Sequence, residues 1–183
     1  MISFKEFITE AFEVAPRNPH AKEVSLFLGR MQPIHKGHQA IIASMKNPIV
    51  LLVKGQSSSA DKAKNPFDAA YQEKLIKKLN RHVDVRVIST GYIPDVAATL
   101  REEGKEVTAV YAGEDRINSY KSQFSRLNLD KEHAFNILFH TTPRIVSATQ
   151  VRTAIKNDDH EAFKQYMPKE LWGEWETMRR YVH

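Results

Sequence analysis

The chain is expected to fold as an α/β domain around a doubly wound, parallel five-stranded sheet in the order 3-2-1-4-5, with helices at its C-terminal end. Three observations predict this. Short apolar runs alternate with helical patterns from Val24 onward, as parallel βαβ units require. The run Ile49–Val53 is apolar throughout, as a strand covered on both faces should be, whereas Val83–Ile88 alternates apolar and polar, as an edge strand does. The polar motifs fall at the ends of the predicted strands, where open α/β sheets bind ligands, and right-handed crossovers put the first and fourth strands side by side at the topological switch.

The elements follow in order. The first strand is Val24–Leu28 and the first helix about 37–46, stopped by Asn47-Pro48. After the strand Ile49–Val53, the polar stretch Lys54–Lys64 reads as a loop. Asn65-Pro66-Phe67-Asp68 then starts a helix, with Asn65 as cap, Pro66 in the first position and Asp68 on the dipole. Phe67, Tyr71, Leu75 and Leu79 recur on one face of it. A helix over 95–103 ends at Gly104, and a fourth strand, 107–112, leads into the turn Gly113-Glu114-Asp115-Arg116. A helical stretch over 117–124, a fifth strand over 135–140 and a helix opened by the capping box Ser147-Ala148-Thr149-Gln150 complete the unit. The tail, from about Asp159, holds a helix begun at Pro168, with Leu171, Trp175, Met178 and Val182 on one side. Trp172 and Trp175 read as core or interface residues.

With 183 residues the chain has room for one such domain. The expected division is an N-terminal extension and linker, 1–22, and a domain, 23–183. Ile2, Phe4, Phe7, Ile8 and Phe12 mark a short amphipathic helix, and Pro16 and Pro19 mark the linker. A net charge of +5 suits anionic ligands, but Lys and Arg are scattered rather than clustered, which argues against nucleic acid. No apolar stretch approaches membrane-spanning length, no secretory signal pattern opens the chain, and the absence of cysteine excludes disulfides and thiolate metal sites. A cytoplasmic protein is expected.

The most informative stretch is Gly29-Arg30-Met31-Gln32-Pro33-Ile34-His35-Lys36-Gly37-His38, a strand-to-helix turn. It brings two imidazoles, a guanidinium, an ammonium and two glycines to a helix N-terminus, where unpaired N–H groups and the dipole favour phosphate. His35-Lys36-Gly37-His38 resembles the H-x-G-H signature of the nucleotidyltransferase superfamily, whose fold is Rossmann-like. Val146-Ser147-Ala148-Thr149-Gln150-Val151-Arg152 resembles its second motif, I-S-x-T-x-x-R. The whole string Gly29–His38 is most similar to archaeal-type nicotinamide-nucleotide adenylyltransferases, and Asn65-Pro66-Phe67 resembles a further segment of them.

The resemblance implies transfer of AMP from ATP to the phosphate of nicotinamide mononucleotide, with release of pyrophosphate and formation of NAD. It implies His35, His38 and Arg152 as catalytic residues, with Arg152 holding the β- and γ-phosphates beside Ser147 and Thr149. Gly29, Arg30, Lys36 and Gly37 would line the nucleotide site; Gly113, Asp115 and Arg116 would face the nucleotide or the second substrate. Magnesium would arrive bound to ATP, with no dedicated metal site. The archaeal enzymes stack a tryptophan on nicotinamide beyond the third strand; here that region has Tyr92 and no tryptophan. A cytidylyltransferase, another adenylyltransferase with a different phosphorylated acceptor, and a non-catalytic nucleotide-binding or virion-associated protein are the alternatives. The opening, with Ile8-Thr9-Glu10-Ala11, resembles the cleaved leaders of head proteins of large tailed phages. For a phage-encoded protein the location would be the host cytoplasm or the virion. Homo-oligomerisation is left open.

Overall fold

The computed structural model describes residues 13–54 and 60–183. Its strands are β1 (Lys22–Leu28), β2 (Pro48–Val53), β3 (Asp84–Ile88), β4 (Lys105–Gly113) and β5 (Leu138–Thr142). All neighbouring strands are parallel, in the expected order β3-β2-β1-β4-β5. The helices are α1 (Lys36–Ser44), α2 (Ala69–Leu79), α3 (Ile93–Glu102), α4 (Glu114–Ser125), α5 (Ala148–Lys156), α6 (His160–Tyr166) and α7 (Trp175–Val182), with a 3₁₀ segment, Lys169–Glu174, before the last. No described helix is long and apolar enough to cross a membrane.

Period-two alternation sends successive strand residues to opposite faces. On one face Phe27, Val50 and Leu52 pack with Ile42 of α1, Leu75 and Ile76 of α2, Val151 and Ile155 of α5, Phe163 of α6, Leu171 and Met178. On the other face Leu26, Leu28, Leu51, Val110 and Ala112 pack with Ala97 and Leu100 of α3 and Ile117 of α4. Both faces of β1 and β2 are therefore dry, which explains their unbroken apolar runs. Strand β3 lies at an edge, and Val87 is half exposed there.

Several boundaries differ from the expected ones, each for a local reason. Helix α2 starts at Ala69, not at Pro66: Asp68 caps it by accepting from Tyr71 N at 2.8 Å. Asn65 is engaged upstream instead, donating from its backbone and side chain to Asp61 O. Gly113-Glu114-Asp115-Arg116 is a cap and first helical turn rather than a free turn, because Glu114 and Asp115 suit the dipole at that end. Strand β5 begins at Leu138, three residues later than expected, since residues 130–134 form a turn around Asp130. Trp172 and Trp175 are both partly buried against the core.

The linker region is docked on the domain. Arg101, its side chain 1% exposed, makes a two-point ion pair with Glu106 at 2.6 and 2.8 Å. The same guanidinium donates to Ala15 O and His133 O and stacks on the Phe135 ring at 4.1 Å. Val14 is buried, and Arg17 N donates to Glu132 O. The amphipathic pattern over residues 2–12, the leader-like Ile8–Ala11 and part of the Lys54–Lys64 loop lie outside the described residues.

Candidate active site

His35 is the N-cap of α1: its Nδ1 accepts from His38 N at 3.4 Å. The cap folds the imidazole of His35 back over that of His38, and the rings stack with centroids 3.7 Å apart, 19° from parallel. A Cβ on residue 37 would lie 3.2 Å from the His35 ring and 3.7 Å from Val146 N. Gly37 thus lets the imidazole and the loop after β5 close on the start of α1.

The two histidines are held neutral rather than cationic. Burial lowers His35 to about 4. His38 is pushed well below its ordinary value by burial and by the repulsion that a protonated His35 would exert. Because His35 Nδ1 accepts a hydrogen bond, the proton of the neutral ring sits on Nε2. His38 Nδ1 is buried without a hydrogen-bond partner among the described residues.

Helix α5 points its N-terminus at the same place. Ser147 caps it by accepting from Gln150 N, and Gln150 Oε1 accepts in turn from Ser147 N at 2.9 Å, so both halves of the expected capping box are present. One turn on, Arg152 donates to Gln32 O at 2.7 Å and to Thr149 Oγ1 at 3.2 Å. Burial and the nearby Arg30 lower its pKa, with the charge of Asp61 opposing them, and among the described residues no carboxylate forms an ion pair with Arg152. Positive charge that is only partly offset in this way attracts an anion.

The third loop joins through Asp115, which accepts from Arg144 at 3.2 Å. Three loops, after β1, β4 and β5, are thereby brought together outside the carboxyl ends of the strands at the β1/β4 switch. Gly29 follows β1, partly buried, with the Met31 side chain against it. Gly113 is the α4 N-cap, close to the Asp115 carboxylate. Arg116 is exposed on the first turn of α4, its charge beside Tyr120.

Lys36 takes a different course from the one expected. Its ammonium donates to Lys164 O and Gln165 O, at 3.3 and 2.7 Å, the orphan carbonyls at the end of α6. In this arrangement it ties α1 to the C-terminal helices. Arg144, Gln32 and Gln72 were not singled out from the sequence. Gln32 lies inside the motif, but nothing distinguishes its side chain there, and Gln72 is one polar position beside an apolar helix stripe.

Among the described residues no three His, Asp or Glu side chains gather so as to hold a metal ion. A cavity of about 430 Å³ opens at the opposite end of the sheet, lined by Arg17, Lys131 and the carboxylates Glu23, Glu106 and Glu132. It lies at the amino ends of β1 and β4, away from the switch point.

No protein-family model matches the chain, and no curated protein matches it in sequence. Solved structures do. A bifunctional NMN adenylyltransferase/ADP ribose pyrophosphatase from Francisella tularensis superposes with a TM-score of 0.59 at 20% identity, over 88% of this chain and 50% of that one. The shared fold is a doubly wound, Rossmann-like parallel sheet. The Plasmodium falciparum nicotinic acid mononucleotide adenylyltransferase complexed with NaAD matches with a TM-score of 0.55 at 11% identity, over 88% of this chain and 94% of that one. Thermotoga maritima TmcAL bound with alpha-thio ATP gives 0.53 at 12% identity, over 88% and 56%. The chain thus spans half the length of the Francisella protein and most of the Plasmodium one. At these identities the likeness is one of fold.

Proposed function

We propose that the protein is an adenylyltransferase that moves AMP from ATP to the phosphate of nicotinamide mononucleotide, forming NAD and pyrophosphate. The observation that carries this reading is that Arg152 donates to the Gln32 carbonyl of the same β1–α1 turn that bears the stacked His35–His38 pair, at the switch point. The fold shared with mononucleotide adenylyltransferases supports it, as does the likeness of Gly29–His38 to the archaeal-type enzymes.

The acceptor phosphate oxygen attacks the α-phosphorus in line, and the bond to the β-phosphate oxygen breaks as pyrophosphate leaves. The nucleophile is already an anion, so no base is needed; positioning and charge stabilisation supply the rate. Neutral imidazole N–H groups of His35 and His38 donate to the α-phosphate oxygens as charge builds there. Arg152, Arg30, Ser147 and Thr149, with the N-terminus of α5, hold the β- and γ-phosphates. Magnesium enters with the nucleotide. Gly29 and Gly37 allow close backbone approach, and Gly113, Asp115 and Arg116 border the base or the acceptor. Lys36 supports the site from behind in the arrangement described.

Tyr92 favours a second reading of the acceptor. It stands at the N-cap position of α3 beyond β3, where the resemblance leads one to expect a stacking tryptophan, so another phosphorylated acceptor fits beside the same triphosphate site. The test is NAD formation from ATP, nicotinamide mononucleotide and magnesium, with His38→Ala as control. Removing one such donor should lower kcat by about 10²-fold or more while the protein stays folded. NAD production by the variant at the wild-type rate would refute the role of His38. Absence of NAD with ATP still bound would point to a different acceptor. Failure to bind any nucleotide would sink the enzyme reading.

A further inference from the structure

The turn between β1 and α1 is held from below by side-chain amides that meet backbone groups rather than the proposed phosphate-binding side chains. Met31 has φ of 49°, in the left-handed region that a side chain disfavours. Beneath it lies Gln72 of α2, 1% exposed, whose Nε2 donates to both Arg30 O and Met31 O, the latter at 2.7 Å. Carbonyl oxygens only accept, so these partners dictate that the amide nitrogen faces them and Oε1 faces away. That oxygen is buried with no hydrogen-bond partner among the described residues. An apolar side chain of the same size would avoid the orphaned oxygen, so what the position requires is the pair of donors.

The turn has a second clamp and an output. Gln32 donates from Nε2 to Phe67 O at 2.8 Å and accepts at Oε1 from Phe67 N at 2.9 Å. Its own carbonyl accepts from Arg152 at 2.7 Å. With Met31 left-handed, the successive carbonyls at 30 and 31 meet one NH₂ group, and the next carbonyl along the turn, at Gln32, is the one that anchors Arg152.

We propose that Gln72 is a positioning residue: its amide holds the Arg30–Gln32 turn so that the Gln32 carbonyl keeps the Arg152 guanidinium aimed at the triphosphate. This rests on the proposed function, in which Arg152 is a triphosphate ligand. Without the amide, the carbonyls of Arg30 and Met31 turn toward other donors, Met31 relaxes, and Arg152 loses one of its two anchors. Displacing a charge-bearing group by about 1 Å costs up to about 10²-fold in rate.

The test is a double-mutant cycle on the full chain: wild type, Gln72→Met, Arg152→Ala and the double variant, each measured for ATP–magnesium binding by calorimetry and for turnover. Gln72→Met should weaken ATP binding and lower turnover by about 10- to 100-fold, and should cost little further in the Arg152→Ala background. Gln72→Asn, which keeps an amide one methylene too short to reach both carbonyls, should behave like Gln72→Met. A purely structural role would lower the melting temperature yet leave the two substitutions multiplicative in ATP affinity, and that result overturns the proposal. So does wild-type affinity in Gln72→Met, or loss of the fold in both Gln72 variants. If the wild type binds no ATP, the proposed function itself has failed and the role of Gln72 falls with it. Wild-type binding with an undisturbed Gln72 variant sinks the positioning role alone.

Discussion

Replacing His35 by asparagine removes a titrating ring while keeping a side-chain oxygen that can cap α1, since asparagine is among the best N-cap residues. The consequence for stability follows from burial. His35 is 4% exposed, and its pKa is lowered to about 4, against about 6.5 in an unfolded chain. The folded value lies below the unfolded one, so between these two values the unfolded state binds more protons. Stability is then full above about pH 6.5 and is lost as the pH falls through the window. From about pH 7 to pH 5 the linkage relation gives a loss of about 2 kcal/mol from His35 alone. His38 is shifted in the same direction and adds to it. Carboxylates held low by partners, such as Glu103 at about 2 beside Arg86, lose their contribution at more acid pH and leave this window clear. Thermal unfolding at pH 7 and pH 5, in buffers without phosphate, reads the effect. For a chain of this size the wild type should lose roughly 4–8 °C more than His35→Asn over that interval. Equal losses in the two proteins would refute the assignment of a buried, neutral His35.

Two further predictions separate function from folding. Gly37→Ala should lower turnover by about tenfold while the melting temperature moves by less than about 2 °C: alanine favours the helix, but its Cβ, 3.2 Å from the His35 ring, pushes the imidazole aside. Steady-state kinetics beside a melting curve decides it, and unchanged kinetics would show that the ring tolerates the shift. Arg101→Met should do the reverse, leaving Glu106 buried and unpaired and freeing the Ala15 and His133 carbonyls, at a cost of about 3–5 kcal/mol. Adding Glu106→Leu should restore most of the lost melting temperature, and no recovery would mean that the carbonyl contacts dominate.

Much of the architecture was legible in local pattern. Strand order followed from the alternation of elements and the handedness of crossovers, and the buried centre of the sheet from the unbroken run Ile49–Val53. The Ser147–Gln150 capping box was equally plain, because both partners lie within one turn. Such features depend on residues a few positions apart, and spacing along the chain is enough to read them.

What spacing could not reveal depends on partners far away in sequence. Asn65 looked like the cap of α2, but Phe67 N is taken by Gln32, 35 positions upstream, and Asp68 caps the helix instead. Lys36 reads as a phosphate ligand within its motif, yet its ammonium meets the unpaired carbonyls at the end of α6, 128 and 129 residues away. The charge state of the site was hidden for the same reason. A sequence shows two histidines, whereas burial by the packed helices decides that both are neutral. Residue types and periodicity therefore determined the sheet, its switch point and the candidate motifs. Only the tertiary structure decided which of those groups face one another, because desolvation and long-range hydrogen bonds exist only once the chain has closed.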